Sequence, residues 1–313
     1  MLDGEPAPEV LRNPIVRYAL ATRPAFLVVT LFAWFIGAGA AYFEGSAISM
    51  TKGLVTLVAA LIAHAGINVL NDYYDDLNGT DRDNHERVFP YTGGSRFIQN
   101  EVLTARQVRT FGAALLGAAL AAGIWLTGVS GPGLIGIGAA GFLIGWAYSA
   151  PPLALNSRGI GELCVALGFA LVVIGSAFVQ RGAFSWIPAI AAVPYALLVT
   201  NVLYINQFPD RRADEAAGKR HWVVRLGPPR ARWGYWGIGA AAYGFLLAAA
   251  ANDSLPRLCL AALVPVVLSG RAGLDLMKFA GEPQRLAPAI RLTILAAVGH
   301  GLLLGAALFL ARA

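Results

Sequence analysis

The chain has 313 residues, of which 57% are hydrophobic and 13% charged, and its mean hydropathy is +0.60. An average soluble domain is about 25% charged. This much apolar surface cannot be hidden inside one soluble core of this size, so a soluble globular enzyme and a disordered chain are both excluded. The excess of 24 Lys and Arg over 18 Asp and Glu gives a formal charge of +6. In so apolar a chain that excess points to basic loops on one side of a membrane. It does not point to nucleic acid, because no basic cluster is interleaved with aromatic residues.

The first residues, with Asp3, Glu5 and Glu9 beside Arg12 and Arg17, are too acidic and too long for the n-region of a secretory signal. Apolar runs follow at residues 25–43, 53–73, 107–127, 132–149, 161–180, 185–206, 231–251, 255–270 and 289–311. A spanning helix needs about 20 apolar residues. These lengths, and the lack of ten-residue alternating segments, predict helices and not a barrel. The expectation is an all-α polytopic membrane protein: nine transmembrane helices around a central cavity, in one membrane-embedded domain over 1–313. Gly141 and Gly145 sit at GxxxG spacing, a sign of close helix packing. Cys164 and Cys259 fall inside apolar runs and read as small buried residues.

Orientation follows from the basic residues. With the N-terminus inside, 20 of the 24 Lys and Arg fall on the inner side, and only Lys52, Arg181, Arg257 and Arg312 fall outside. The bias puts the N-terminus in the cytoplasm.

Ten of the 18 acids lie in two segments. The first runs Asn71-Asp72-Tyr73-Tyr74-Asp75-Asp76 and on through Asp81, Asp83, Glu86 and Glu101. It closes the second span. The second, Asn206-Gln207-Phe208-Pro209-Asp210 through Asp214 and Glu215, closes the sixth. An even number of spans separates them, so both emerge on one face. On a helix, His64, Asn68, Asn71 and Asp75 share one stripe that runs about 16 Å along the axis, with Asp72 at its edge. Asn206, Asp210 and Asp214 repeat the pattern. Polar groups at such depth face a cavity or a partner. Carboxylates gathered at one rim repel each other unless a cation sits among them, and hard oxygen ligands of this kind suit Mg²⁺. Arg96, Lys219, Arg220 and Arg225 stand close by in sequence. Carboxylates for a metal, with cations for oxyanions, are the equipment for a diphosphate.

At these residues the sequence resembles the UbiA superfamily of intramembrane prenyltransferases, whose nine helices carry aspartate-rich motifs after helices two and six. The resemblance covers essentially the whole chain. Asn71-Asp72-Tyr73-Tyr74-Asp75 with Gly79 and Asp81, Asp210 with Asp214, Gly218-Lys219-Arg220, and Val223 to Gly227 are similar to the menaquinone branch, the 1,4-dihydroxy-2-naphthoate prenyltransferases. The general family pattern has an aspartate where Gly79 stands; Asp76 and Asp81 flank it, and the choice between them stays open. Asn206-Gln207-Phe208-Pro209 departs from the usual Asn-Asn-hydrophobic-Arg, which bears on the acceptor. Tyr148-Ser149-Ala150-Pro151-Pro152 and Arg158 to Glu162 match the stretch where a tyrosine and a basic residue contact the diphosphate.

The resemblance implies transfer of a polyprenyl group from its diphosphate to an aromatic acceptor, with Mg²⁺ and no organic cofactor. In the naphthoate branch this step also loses CO₂. Asn71, Asp72 and Asp75 are the expected ligands of one ion and Asp210 and Asp214 of another. Arg96, Tyr148, Ser149, Arg158, Lys219 and Arg220 are the expected substrate contacts. Asn68 and Tyr74 are candidates to shield the allylic cation. His85 and His221 read as solvated loop residues and His300 as a packing residue. His64 is open between a helix contact and a substrate contact, and Glu162 between a helix-terminal charge and a cavity residue. Other acceptors (4-hydroxybenzoate, homogentisate or a glycerol phosphate lipid) and a transporter of an anionic substrate are the rival readings. Oligomeric state is not legible.

Overall fold

The structure is a computed structural model that describes residues 4–312; Asp3 lies outside them. Among the described residues there are eleven α-helices and no strand. A short helix α1 (Pro14–Ala21) precedes α2 (Pro24–Phe43). Asn13 caps α1 through the amides of Ile15 and Val16. Arg23, in the left-handed region at φ 57°, breaks the path, and Pro24 opens α2. Then come α3 (Met50–Leu77), α4 (Ala105–Ser130), α5 (Leu134–Ser149), α6 (Gly161–Arg181) and α7 (Trp186–Ala216). The one-turn α8 (Trp222–Leu226), α9 (Pro228–Ala251), α10 (Val266–Phe279) and α11 (Ala287–Leu310) complete the chain. A 3₁₀ stretch, Arg257–Leu263, extends the α10 span to Arg257–Phe279.

Eight of these segments are long and apolar enough to cross a membrane, and α5 is a ninth apolar helix of 16 residues. All nine coincide with the apolar runs. Exposed Leu143, Leu163, Leu167, Val267 and Leu310 give the bundle the lipid-facing surface that its composition requires.

Helix length decides where the acids go. A bilayer core of about 30 Å takes about 20 residues at 1.5 Å each. α3 has 28 residues and α7 has 31. Their surplus turns carry Asp72, Asp75 and Asp76, and Asp210 and Asp214. The apolar run of the sixth span stops near residue 206, yet the helix continues through Pro209 to Ala216.

The dry core lies between α2, α6, α7, α9 and α11, where Ile36, Val173, Tyr195, Leu246 and Leu304 are buried. Backbones approach closely there. A Cβ added to Gly37 would fall on the Val173 carbonyl and within 2.7 Å of Ser176 Cβ. α3 packs on α4 and α2, and α5 leans on α6. This leaves an internal space ringed by α2, α3, α4, α5, α6 and α7. Gly37→Ala is expected to cost about 1–3 kcal/mol through overpacking. Gly244→Ala, where an added Cβ meets nothing within 4 Å, is expected to be neutral or to gain up to about 1 kcal/mol of helix propensity. Thermal unfolding in detergent checks both; equal midpoints would contradict the packing argument.

Candidate active site

The space is a cavity of about 470 Å³. On α3 its wall runs from Thr56 to Asp75, about 28 Å of helix. Its depth is apolar: Ala59, Ala63, Leu116, Leu126, Ile137, Phe142, Phe169 and Val179 line it, with Gly138, Gly141 and Gly168. A Cβ at any of those three glycines would meet nothing within 4 Å, so they widen the bore. The other end is polar, lined by Asn68, Asn71, Asp75, Asp81, Tyr148, Asn156, Asn206, Asp210, Asp214, Lys219 and His221.

The two acidic segments meet through Lys219. Its Nζ lies 2.8 Å from Asp75 Oδ1 and 3.1 Å from Asp214 Oδ1. The Lys219 side chain is 9% exposed. Burial alone would push its pKa down, but Asp214 and Asp75 outweigh burial and hold it well above the usual lysine value. Gly218, at φ +81°, turns the chain back after α7, and the Lys219 amide donates to the Asp214 carbonyl at 2.8 Å.

The loop of residues 78–104 closes over this end. The Ser95 amide donates to both Asp72 carboxylate oxygens at 3.3 Å. Asn84 Nδ2 donates to Asp210 Oδ1 at 2.6 Å. Asp81 is 3% exposed, and its Oδ2 has no hydrogen-bond donor. Burial, then Asp75 and Asp72, raise its pKa well above the usual carboxylate range.

The predicted stripe of His64, Asn68, Asn71 and Asp75 lines the cavity throughout, as do Asn206, Asp210 and Asp214. Tyr148 and Lys219 also line it. Asn71 Nδ2 donates to Ser149 Oγ at 2.9 Å, which ties α3 to α5. Asp72 and Ser149 stand behind the lining. Three predicted substrate contacts lie elsewhere. Arg96 is 6% exposed and donates to the Asp81 carbonyl, so it props the loop; burial lowers its pKa. Arg158 is exposed and donates to the Pro152 carbonyl at 2.6 Å. Arg220 is exposed, and its carbonyl accepts from Arg225.

Of the two aspartates flanking Gly79, Asp81 lines the cavity. Asp76 turns away to Gln99 at 3.2 Å and Arg82 at 3.8 Å. His221 is not solvated: it is 2% exposed, and its Nε2 lies 3.0 Å from Asp214 Oδ2. His85 is exposed, and His300 bonds the Ala262 carbonyl at 2.8 Å. His64 pairs with Thr30 at 2.7 Å while facing the cavity. Glu162 accepts from Gln207 Nε2 at 2.9 Å. Cys164 and Cys259 are buried and unpaired. Two cavity residues went unread in the sequence. Arg23 lies over the Phe26 ring at 4.8 Å, signalled only by a basic residue before the proline that opens the first span. Asn156 follows the double proline.

Among the described residues no three His, Cys, Asp or Glu side chains form a ready metal cage. The donor set nevertheless fits a hard divalent cation. Four aspartates line one end of the cavity, and buried oxygens of Asp81, Asn84 and Asn206 lack donors. Mg²⁺ is commonly held by one or two carboxylates together with substrate phosphates, not by an all-protein cage.

An apolar bore ending in carboxylates on two overlong helices gives this membrane protein an internal site with one apolar and one charged end. The chain belongs to the UbiA prenyltransferase family, whose pattern matches residues 31–276. It is 32% identical over 227 residues (72% of this chain, 75% of the relative) to a 1,4-dihydroxy-2-naphthoate octaprenyltransferase of Mycobacterium tuberculosis. It is 30% identical over 215 residues (67% and 68%) to the enzyme of that name from Escherichia coli. In fold it is similar to a UbiA homolog from Archaeoglobus fulgidus bound to DMAPP and Mg²⁺. That match has a TM-score of 0.58 at 18% identity and covers 93% of this chain and 99% of that one.

Lys219→Met leaves two buried carboxylates facing each other. It is expected to cost about 3–5 kcal/mol, as for other broken buried ion pairs. Because the lysine pKa is raised on folding, its contribution is fully present below about pH 10 and lost only as pH rises through the folded value. A Lys219→Met protein that unfolds at the wild-type temperature would contradict the pairing.

Proposed function

We propose that the chain transfers a polyprenyl group from polyprenyl diphosphate to 1,4-dihydroxy-2-naphthoate, with Mg²⁺, in menaquinone biosynthesis. The observation that carries this reading is Lys219 between Asp75 and Asp214 at the mouth of an apolar bore. The naphthoate relatives support the acceptor, and the DMAPP and Mg²⁺ of the archaeal homolog support the donor and the metal.

In this reading Asn71, Asp75, Asp81, Asp210 and Asp214 form the metal-binding rim, with Asp72 behind them on the Ser95 amide. Bound Mg²⁺ supplies charge stabilisation to the departing diphosphate. Lys219 and Arg23 face the same end of the cavity and add positive charge near the leaving oxygens. The bond from the allylic carbon to oxygen breaks, and the electron pair leaves with the diphosphate. Asn68 and Tyr148 line the path beside the reacting carbon, where the amide oxygen and the ring face shield positive charge. The naphthoate ring carbon then bonds to the allylic carbon, and its carboxyl group leaves as CO₂. The glycine-widened depth holds the tail away from water. The basic bias supports a cytoplasmic side for this end and for the N-terminus.

Purified protein is expected to prenylate the naphthoate acid only with divalent metal. Asp75→Ala and Asp210→Ala are each expected to abolish turnover, and full activity in either would refute the metal assignment. Gly141→Leu or Gly168→Leu fills the bore. Either is expected to spare short prenyl donors and to lose long ones, as read by mass spectrometry of products. Unaltered chain selectivity in both would remove the tail from this bore.

A further inference from the structure

The second acidic segment is held in place from outside its own helix. Asp210 accepts from Asn84 Nδ2 at 2.6 Å and from the Gly93 amide at 3.4 Å. Both donors belong to the loop of residues 78–104, and both rest on Arg87. Arg87 Nη1 donates to the Asn84 carbonyl at 2.6 Å. The Arg87 stem lies against Gly93 so closely that a Cβ there would meet Arg87 Cβ at 2.6 Å.

Arg87 is in turn held by the segment before the first helix. Its Nε donates to Glu5 Oε1 at 2.6 Å, and the two residues are 8% and 9% exposed. Asn100, in the second half of the loop, donates to Glu5 Oε2 at 3.4 Å and to the Pro6 carbonyl at 3.0 Å. The segment therefore clasps both halves of the loop. Weaker ties hold the loop's outer edge: Gln284 reaches the Glu86 and Arg87 carbonyls, and Arg212 pairs with Glu86.

A buried ion pair contributes little net stability, because removing two charges from water offsets their attraction. What it contributes is direction. A guanidinium is a rigid planar fork. With one edge fixed on Glu5, its other nitrogen fixes the Asn84 carbonyl and hence the Asn84 amide on Asp210. We propose that Glu5 and Arg87 are positioning residues that aim Asp210 through Asn84 and Gly93, making the N-terminal segment part of the active-site frame. The proposal rests on the reading of Asp210 as part of the metal-binding rim.

The test uses the full chain, with Glu5→Gln, Arg87→Met, Arg87→Lys, Asn84→Ala and the double variant Asn84→Ala/Arg87→Met. Loosening a residue that orients a metal ligand is expected to raise the Mg²⁺ concentration for half activity about tenfold, with the acceptor KM changed by less than about twofold. Arg87→Lys is expected to recover part of the loss. The double variant is expected to be no worse than Asn84→Ala alone, since both act along one path. Additive losses, or equal rises in the metal requirement and the acceptor KM, would overturn the proposal. Amide exchange across residues 84–95 separates this idea from the enzymatic reading. It is expected to quicken in Glu5→Gln and Arg87→Met whether or not the protein is active. Unchanged exchange in both variants would sink the clasp, whereas an inactive wild-type protein with quickened exchange would sink only the metal reading of Asp210.

Discussion

A single buried ammonium is the constraint on which the site depends. Asp75 and Asp214 come from helices far apart in the chain, and each sits on turns beyond the length a bilayer needs. Left alone, two buried carboxylates would drive those ends apart. Lys219 prevents this because it is tied twice to one of them, by its backbone to the Asp214 carbonyl and by its side chain to the same residue's carboxylate. A third bond, from the same ammonium to Asp75, then links α7 to α3. The turn at Gly218 makes the double tie possible, since its positive φ would strain any residue with a Cβ.

The rest of the cavity follows from helix lengths and side-chain sizes. α5 is too short to fill the height spanned by α3, and it presents Gly138 and Gly141 toward the bore, whereas its Gly145 lies against Ile67 of α3. Small residues elsewhere in the bundle do the opposite. Gly37 and Gly39 lie against Val173 and Gly305 and seal the dry side between α2, α6 and α11. Glycine thus serves two ends here. Where a neighbour sits on it, helices close up; where none does, a space opens. Composition alone cannot tell these apart, because the difference lies in what faces each residue.

The sequence disclosed what periodicity carries. The stripe from His64 to Asp75 and the steps from Asn206 to Asp214 are helical repeats, and the helices turn both toward the cavity. The loops were less legible, because their side-chain directions come from closure contacts far away in the chain. Arg96 and Arg158 have the charge expected of diphosphate contacts, yet each turns one nitrogen onto a loop carbonyl and neither lines the cavity. His221 resembled a solvated loop residue, but the turn at Gly218 folds it onto Asp214. The same closure separates Asp81, which faces inward, from Asp76, which pairs with Gln99 and Arg82. No local pattern distinguishes those two aspartates.

The unusual Asn206-Gln207-Phe208-Pro209 has a physical reading in this frame. Pro209 cannot donate to the carbonyl four residues earlier, so α7 is weakened just below the acids. Gln207 compensates by reaching across to α6, where its amide nitrogen donates to Glu162. A carboxylate only accepts, so the orientation of that amide is fixed. Phe208 meanwhile packs with Tyr204 and Val223, which anchors the same turn on its other side. An arginine at position 209 would restore the missing backbone bond. With proline there, the helix end is held by its neighbours instead, by Gln207 on Glu162 of α6 and by Phe208 against Tyr204.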